Sequence, residues 1–510
     1  MPGVIVERIS KRSPRSNTND LAIFVSGPAE WGPFDPTIVT SVNDFENKFG
    51  SPIAASWAYQ GIKQFFDERG VGEVWFNRIA HYTDVTTPST ITAVKASITI
   101  QDRAAVPVDT LKVEALYAGE LGNQISVIIN NATVDSANKF KVTVKLKNSI
   151  VETFDELSMD ITSDDYVEKK INGFSSYINV TDLDSTTQIP SRNPAIGTYV
   201  LTNGDNGITG LTDDDWIGNS TAKTGIYKFD FVKNRRFIMI APGQTSRKVI
   251  KAMADYCYNR QVGYCIAQAP YGVSDKVAVD FKNGTGSYSS DNIGGLWYNE
   301  LSIYHPWGYG KILTQNVFGP VSVEGAIAAN HSKTQYRRGV AKAPAGLEDG
   351  YISNLSILGV ASAVDADYLN SNGICPIVNF DNFGTVLWGA RTTSTDSNYD
   401  QIQITTTVQW FTQWCYDNLL KYTFEPIISS TFDKITIDAL KVLSDKYAQG
   451  WFDDGGTGDP NEAYYFQCDY GNNTPETIAN RNIIIDFGVR PPGAAEIIKV
   501  RLSLYSGTSS

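Results

Sequence analysis

The chain has 510 residues, too many for one hydrophobic core, so about two to four domains are expected. Hydrophobic residues make up 42% and charged ones 19%, the balance of a folded protein rather than a disordered one. The net charge of −12 excludes a general nucleic-acid binder, which needs a basic surface, and no apolar run reaches the roughly 18 residues of a membrane-spanning helix.

The chain opens with GVIVERI (3–9), a β-branched, strand-like arm. The polar stretch 10–20 separates it from the buried-strand pattern LAIFVSG (21–27). MPGVIVERISKR lacks a basic segment followed by an apolar one, so no signal peptide is expected. Residues 40–50 predict a short helix capped by Ser41 or Asn43 and stopped by Gly50. Residues 53–69 predict an amphipathic helix with Trp57, Ile62, Phe65 and Phe66 on its apolar side, and EVWFNRIA (73–80) a strand.

At about residue 82 the text turns rich in Thr, Val and Asn. ITAVKASITI, LKVEALYA, QISVIIN and FKVTVKLK read as antiparallel strands around one helical piece, DDYVEKKINGFSSY, and the turn cluster LTNGDNGITG (201–210) closes the segment. The core then resumes with RFIMIAPG (236–243), the helix 245–260 and GYCIAQAP (263–270). Short links make this a parallel, right-handed βαβ crossover. Further on come the strand ELSIYHPW (300–307), a helix over 323–337 and a longer one over 433–452. On that last helix Ile437, Leu440, Leu443, Tyr447 and Trp451 make the expected buried stripe. Lys434, Asp438, Lys441 and Asp445 make a charged row; Lys434 and Lys441 could face an acidic partner, but the interleaved aspartates favour a solvated face. The chain ends in YYFQCD, NIIIDF and AAEIIKVRLSLY. In the last of these, Ile498, Val500, Leu502 and Leu504 alternate with Lys499, Arg501 and Ser503 behind a Pro491-Pro492-Gly493 break.

The expected fold class is therefore a multidomain α/β (α+β) protein. Its discontinuous α/β core (21–82 and 216–490) is interrupted by an inserted β-rich domain (83–215) and flanked by an N-terminal arm (1–20) and a C-terminal strand arm (491–510). Each arm has unpaired backbone groups that need a sheet, either its own or a neighbour's.

Catalytic signals are sparse. The loop APGQTSR after 236–240 stands where an α/β enzyme binds phosphate, but it matches neither GxxxxGK[ST] nor GxGxxG. His81, His305 and His331 are widely spaced and form no ligand pair, and no GxSxG elbow is present. The acidic glycine loop 453–459 lacks the glutamate of an EF-hand, since Tyr464 stands at that position. The five cysteines form no CxxC pair and read as reduced, mostly buried thiols. No enzyme activity, cofactor or metal is expected.

Several stretches, in order along nearly the whole chain, resemble the tail-sheath proteins of contractile injection machines. They are PGVIVERIS, LAIFVSGPAEWGPFDPTIVTSVNDFENKFG, LYAGELGNQISVII, LTNGDNG, SIYHPWGYG, RGVAKAPAG, LWGARTTS and the closing FQCDYGNNTPETIANRNIIIDFGVRPPGAAEIIKVRL. The resemblance implies a structural subunit that polymerises helically, in hexameric rings, around an inner tail tube protein. It further implies contact with baseplate and tail terminator proteins, with neither nucleic acid nor direct membrane insertion, and a place in a virion tail assembled in the bacterial host cytoplasm. The sheath would contract from an extended to a compact lattice and drive the tube through the target envelope. On this resemblance the arms cross to neighbouring subunits through Val4, Ile5, Val6 and Ile9 at one end and Ile498, Val500, Leu502 and Leu504 at the other. Pro14, Pro491, Pro492 and Gly493 are hinge candidates, Lys434 and Lys441 are candidates for facing the tube, and residues 83–215 point outward. Two other readings stay open: a non-contractile self-assembling virion protein, and an α/β enzyme using the 236–270 unit.

Overall fold

Two runs that are apolar at nearly every position, LAIFV and RFIMI, can be satisfied only by strands covered on both faces. They lie side by side at the centre of the computed structural model, which describes residues 21–233, 235–353, 355–357 and 363–496. The chain begins with β1 (Leu21–Gly27), β2 (Thr37–Val39), α1 (Val42–Phe49), α2 (Ala58–Asp67) and β3 (Glu73–Arg78). It continues through β4 (Ser97–Gln101), β5 (Asp109–Ala115), β6 (Ile125–Asn131), β7 (Phe140–Leu146), β8 (Ser149–Leu157), α3 (Val167–Ile171), β9 (Ile178–Asp182), β10 (Gly197–Val200) and α4 (Asp213–Ile217). Next come β11 (Arg236–Ile240), α5 (Arg247–Arg260), β12 (Gly263–Gln268), α6 (Asp275–Asn283), β13 (Leu301–His305), β14 (Gly308–Ile312), β15 (Val317–Val321) and α7 (Glu324–Arg338). The rest is α8 (Gly346–Asp349), β16 (Tyr351–Ile352), β17 (Ser356–Ile357), α9 (Ala363–Ser371), β18 (Cys375–Phe380), β19 (Gly384–Leu387), α10 (Ile402–Leu419), α11 (Ser429–Ala448), β20 (Tyr464–Gln467), α12 (Pro475–Ala479) and β21 (Asp486–Val489).

The main sheet has nine strands in the order β16-β19-β18-β13-β12-β11-β1-β3-β2. From β18 to β3 neighbours run parallel, whereas β2 pairs antiparallel with β3, β19 with β18 and β16 with β19. Alternation sorts the side chains. Ile23, Val25, Ile238 and Ile240 face the layer that holds α2 and α7, while Ala22, Phe24, Phe237 and Met239 face α5 and α6. The expected βαβ unit is present, with β11 and β12 in parallel register from Phe237↔Gly263 to Ile240↔Ile266. The four cysteines Cys257, Cys265, Cys375 and Cys468 are buried free thiols, and Cys415 is half-buried.

Between β3 and α4 the chain builds a four-stranded sheet, β10-β6-β7-β8, and a three-stranded one, β4-β5-β9, around a separate hydrophobic cluster that Trp31, from the loop after β1, also enters. The two crossing segments are clamped to the main sheet. Asp215, on α4, accepts from the Tyr82 amide at 2.8 Å and contacts His81 Nδ1 at 3.0 Å. Arg78, at the end of β3, is 1% exposed and donates to the carbonyls of Gly32, Ala118 and Asn206 at 2.8, 2.7 and 3.1 Å. Its guanidinium lies 4.5 Å from the Phe34 ring, and burial pulls its pKa down to about 9. Arg78→Met would leave three buried carbonyls without donors, at about 1–3 kcal/mol for each unsatisfied group before relaxation. The expected net loss is about 3 kcal/mol, read as a shift in the denaturant midpoint at unchanged slope.

Several elements differ from the sequence reading. Helix α2 starts at Ala58 rather than residue 53, because residues 51–57 are spent on turns and the Ser56 hydroxyl accepts from the Ala58 amide at 3.1 Å. Within the 91–100 run only 97–100 is strand, since Val94 instead bridges Asp205 in the return segment. Helix α11 is rotated from the expected stripe. Phe432, Ile435, Ala439 and Leu443 are buried, whereas Ile437 is 65% and Leu440 40% exposed.

Candidate functional site: a filled crevice and the roots of the arms

Strand β3 lies on one side of β1 and β11 on the other, so the strand order reverses between β1 and β11. Open α/β sheets bind ligands in the crevice at such a point, beyond the carboxyl ends of the strands. Here that space is packed. A Cβ on Gly243 would stand 2.1 Å from Trp57 Cδ1, and one on Gly61 would stand 2.4 Å from Pro242 Cγ. Trp57 in turn meets Trp307 edge-on at 5.7 Å. The polar groups of the loop are also engaged: Gln244 Oε1 accepts from the Ser246 amide at 2.8 Å, and the Ser246 hydroxyl donates to Asp213 at 2.7 Å.

Glu324, the first residue of α7, is 1% exposed, and burial raises its pKa well above the ordinary carboxyl value. A carboxyl raised by folding stabilises the fold only while neutral, so its cost grows as pH rises above the unfolded value. Glu324→Gln keeps the shape without the charge and is expected to melt higher than the wild type at pH 8. Equal melting there would contradict the assignment of a neutral, buried carboxyl.

Of the histidines, His305 Nε2 lies 3.1 Å from Asp275 Oδ1, and His331 is enclosed between Tyr264 and Tyr304 at 3.0 and 2.7 Å. The acidic loop folds on itself, with Asp454 accepting from the Gly456 and Gly458 amides and from the Tyr447 hydroxyl. Among the described residues no cluster of His, Cys, Asp and Glu is arranged to hold a metal ion.

The sequence also marks both ends of the chain as a candidate site. Val4, Ile5, Val6, Ile9 and Pro14, and likewise Ile498, Val500, Leu502 and Leu504, lie outside the described residues. Pro491, Pro492 and Gly493 are described, and they carry the chain away from a two-stranded sheet. In that sheet β20 and β21 pair antiparallel from Tyr464↔Val489 to Gln467↔Asp486. Phe466 and Val489 seat the sheet on an apolar cluster with Phe411 and Leu443. Each strand has one partner among the described residues, so both outer edges present unpaired backbone groups.

Beyond Gly493 the backbone is fixed again. Gln401 Oε1 accepts from the Ala494 amide at 2.8 Å, and Gln401 Nε2 donates to the Ala494 carbonyl at 3.3 Å. Arg391 donates to Glu496 at 2.5 Å and to Asp400. Partial burial lowers the Arg391 pKa, but the two carboxylates outweigh it and hold the guanidinium charged. Sequence reading missed this pair, although Arg391 lies in LWGARTTS and Glu496 in PPGAAE, two of the stretches that carried the resemblance. Opposite charges in two such stretches were the available signal. Lys434 and Lys441 lie exposed on α11, and Asp438 between them is turned toward Lys421 and the Tyr422 hydroxyl, at 2.5 and 2.7 Å.

The same architecture is found in solved structures. The sheath tail protein of Desulfitobacterium hafniense superposes with a TM-score of 0.57 at 12% identity, covering 91% of this chain and 93% of that one. The sheath tail protein Lin1278 of Listeria innocua gives 0.57 at 12%, covering 88% and 89%. A chain from the helical sheath of the anti-feeding prophage in its contracted state gives 0.55 at 16%, covering 98% of both. The chain has the tail-sheath fold. No family model matches it, and a comparison with curated proteins finds no match. In this sheath fold, the filled crevice belongs to the central sheet, and the edges that remain open lie beside the Pro491–Gly493 stretch.

Proposed function

We propose that this chain is the structural subunit of a contractile tail sheath and acts mechanically rather than as an enzyme. What carries the reading is the sheath fold over nearly the whole chain, combined with a two-stranded sheet whose edges stand open where the C-terminal strand leaves. Subunits polymerise with themselves as a helical tube, in hexameric rings, around an inner tail tube protein, and meet baseplate and terminator proteins at the ends. The place of action is the virion tail, assembled in the host cytoplasm, with no cofactor, metal, nucleic acid or direct membrane insertion.

In this reading residues 21–82 and 216–490 form the core, 83–215 an outward-pointing domain, and 1–20 and 491–510 the arms. Val4, Ile5, Val6 and Ile9, with Ile498, Val500, Leu502 and Leu504, supply strands to neighbouring subunits. Backbone pairing contributes about 0.5–1.5 kcal/mol net per hydrogen bond, and each fully buried aliphatic side chain adds about 1.5–3 kcal/mol. That is modest for one arm and large across a lattice. Contraction is then a rigid-body rotation of cores about persistent arm pairings. Pro14 and the Pro491–Gly493 stretch are the flexing points, and Lys434 and Lys441 are in position to meet the tube. Sedimentation of the purified chain over a range of concentrations tests the reading: it predicts pelletable polymers that disappear when residues 1–20 are removed. A chain that stays monomeric at every concentration would contradict it.

A further inference from the structure

The described chain ends at the lip of a groove. A cavity of about 770 Å³, within the usual ~300–1,000 Å³ of a ligand pocket, is lined by Ala343, Ala345, Asp367, Tyr368, Trp388 and Ala390, and by Ala494–Glu496. The Gln401 pairing with Ala494 and the Arg391 pairing with Glu496 fix the direction in which the chain arrives there. The next residues, IIKVRLSL, alternate apolar with basic. The groove offers both an apolar and an acidic contact. Trp388 and three alanines supply apolar surface. Its basic side chains are already paired, Lys342 with Asp349 at 3.6 Å and Arg391 with Asp400 and Glu496. Asp367, exposed on α9, has no ion-pair partner among the described residues.

We propose that in the unassembled subunit residues 497–504 fold back into this groove of their own chain. Ile498, Val500 and Leu502 lie toward Trp388, Ala343 and Ala345, and Lys499 or Arg501 reaches Asp367. The arm is thereby sheltered from unspecific strand pairing until a neighbour's sheet edge takes it. The fold-back stands on the groove and the fixed root alone, and only the hand-over to a neighbour rests on the sheath reading.

Hydrogen exchange tests it on the full-length monomer at dilutions below assembly, beside a variant ending at Glu496. Peptides spanning 343–346 and 367–371 are expected to exchange several-fold slower in the full chain, with no change on tenfold dilution. Equal exchange in the two proteins would overturn the proposal, and so would protection that fades on dilution, which marks an arm arriving from another molecule. A Tyr368→Cys, Val500→Cys double variant gives a second reading: oxidation is expected to yield crosslinked monomers, and crosslinked dimers would overturn the proposal. The two ideas fail separately, because tubes without monomer protection would remove only the fold-back, and protection without tubes would remove only the sheath.

Discussion

Acidification from pH 7.5 to 2 is expected to cost this protein about 5 kcal/mol of stability through His331 alone. The imidazole is fully enclosed, between the hydroxyls of Tyr264 and Tyr304, and burial lowers its pKa from 6.5 to about 3. One ring nitrogen donates and the other accepts, so the neutral form satisfies both neighbours while the charged form is deprived of water. The sign follows from proton counting. Between the two pKa values the unfolded chain holds a proton that the folded chain does not, so stability falls as pH falls through 6.5 and levels off below about 3. At about 1.4 kcal/mol per unit of pKa difference, the gap gives the stated magnitude. Denaturant unfolding of the wild type and His331→Gln at pH 7, 5.5 and 4 measures it. The variant is less stable at pH 7 but has a shallower pH slope, whereas parallel slopes would show that His331 does not titrate as described.

Trp31→Ala is expected to cost about 3–5 kcal/mol and to loosen the inserted segment from the main sheet. Trp31 sits on the loop after β1, yet its ring is buried in the insert's hydrophobic cluster, edge-on to Tyr117 at 5.6 Å and stacked near Tyr177 at 6.3 Å. Gly119 allows the approach, since a Cβ there would stand 2.5 Å from the Trp31 backbone and side chain. The backbone follows, with the Glu120 amide donating to the Glu30 carbonyl at 3.1 Å. Removing the indole empties the place where loop and insert interlock. Limited proteolysis should then cut within 203–212 much faster than in the wild type, while the cleaved core keeps its fold. Unchanged proteolysis with a large loss of stability would mean that Trp31 supports the insert alone and not the junction.

The legible parts of the fold were those specified by local pattern. LAIFV and RFIMI are apolar at successive positions because both sheet faces are covered, and the short links around 245–260 force a parallel crossover. A cap at Ser41 or Asn43 and a stop at Gly50 were read from residue type, and the helix uses Ser41 and Gly50. Helix α11 shows where pattern fails. It carries apolar residues on two adjacent stripes, and the choice between them depends on Phe411 and the β20–β21 sheet, which no window of sequence contains. The contacts that hold the arm root are also invisible locally: Arg391 meets Glu496 across 105 positions and Gln401 meets Ala494 across 93. Arg78 and Glu324 were unremarkable in sequence because a buried charge announces itself only through its surroundings.

The measurement that tests the central claim most directly is negative-stain electron microscopy of the full-length chain beside a version ending at Glu496. That end point keeps the Arg391 pairing intact and removes the segment carrying Ile498, Val500, Leu502 and Leu504. The sheath account predicts hollow, striated tubes from the full chain and folded, unassembled subunits from the shortened one. Tubes from both would show that the C-terminal strand is not the clasp between subunits. Subunits that remain single in both, across salt and protein concentration, would contradict the account itself.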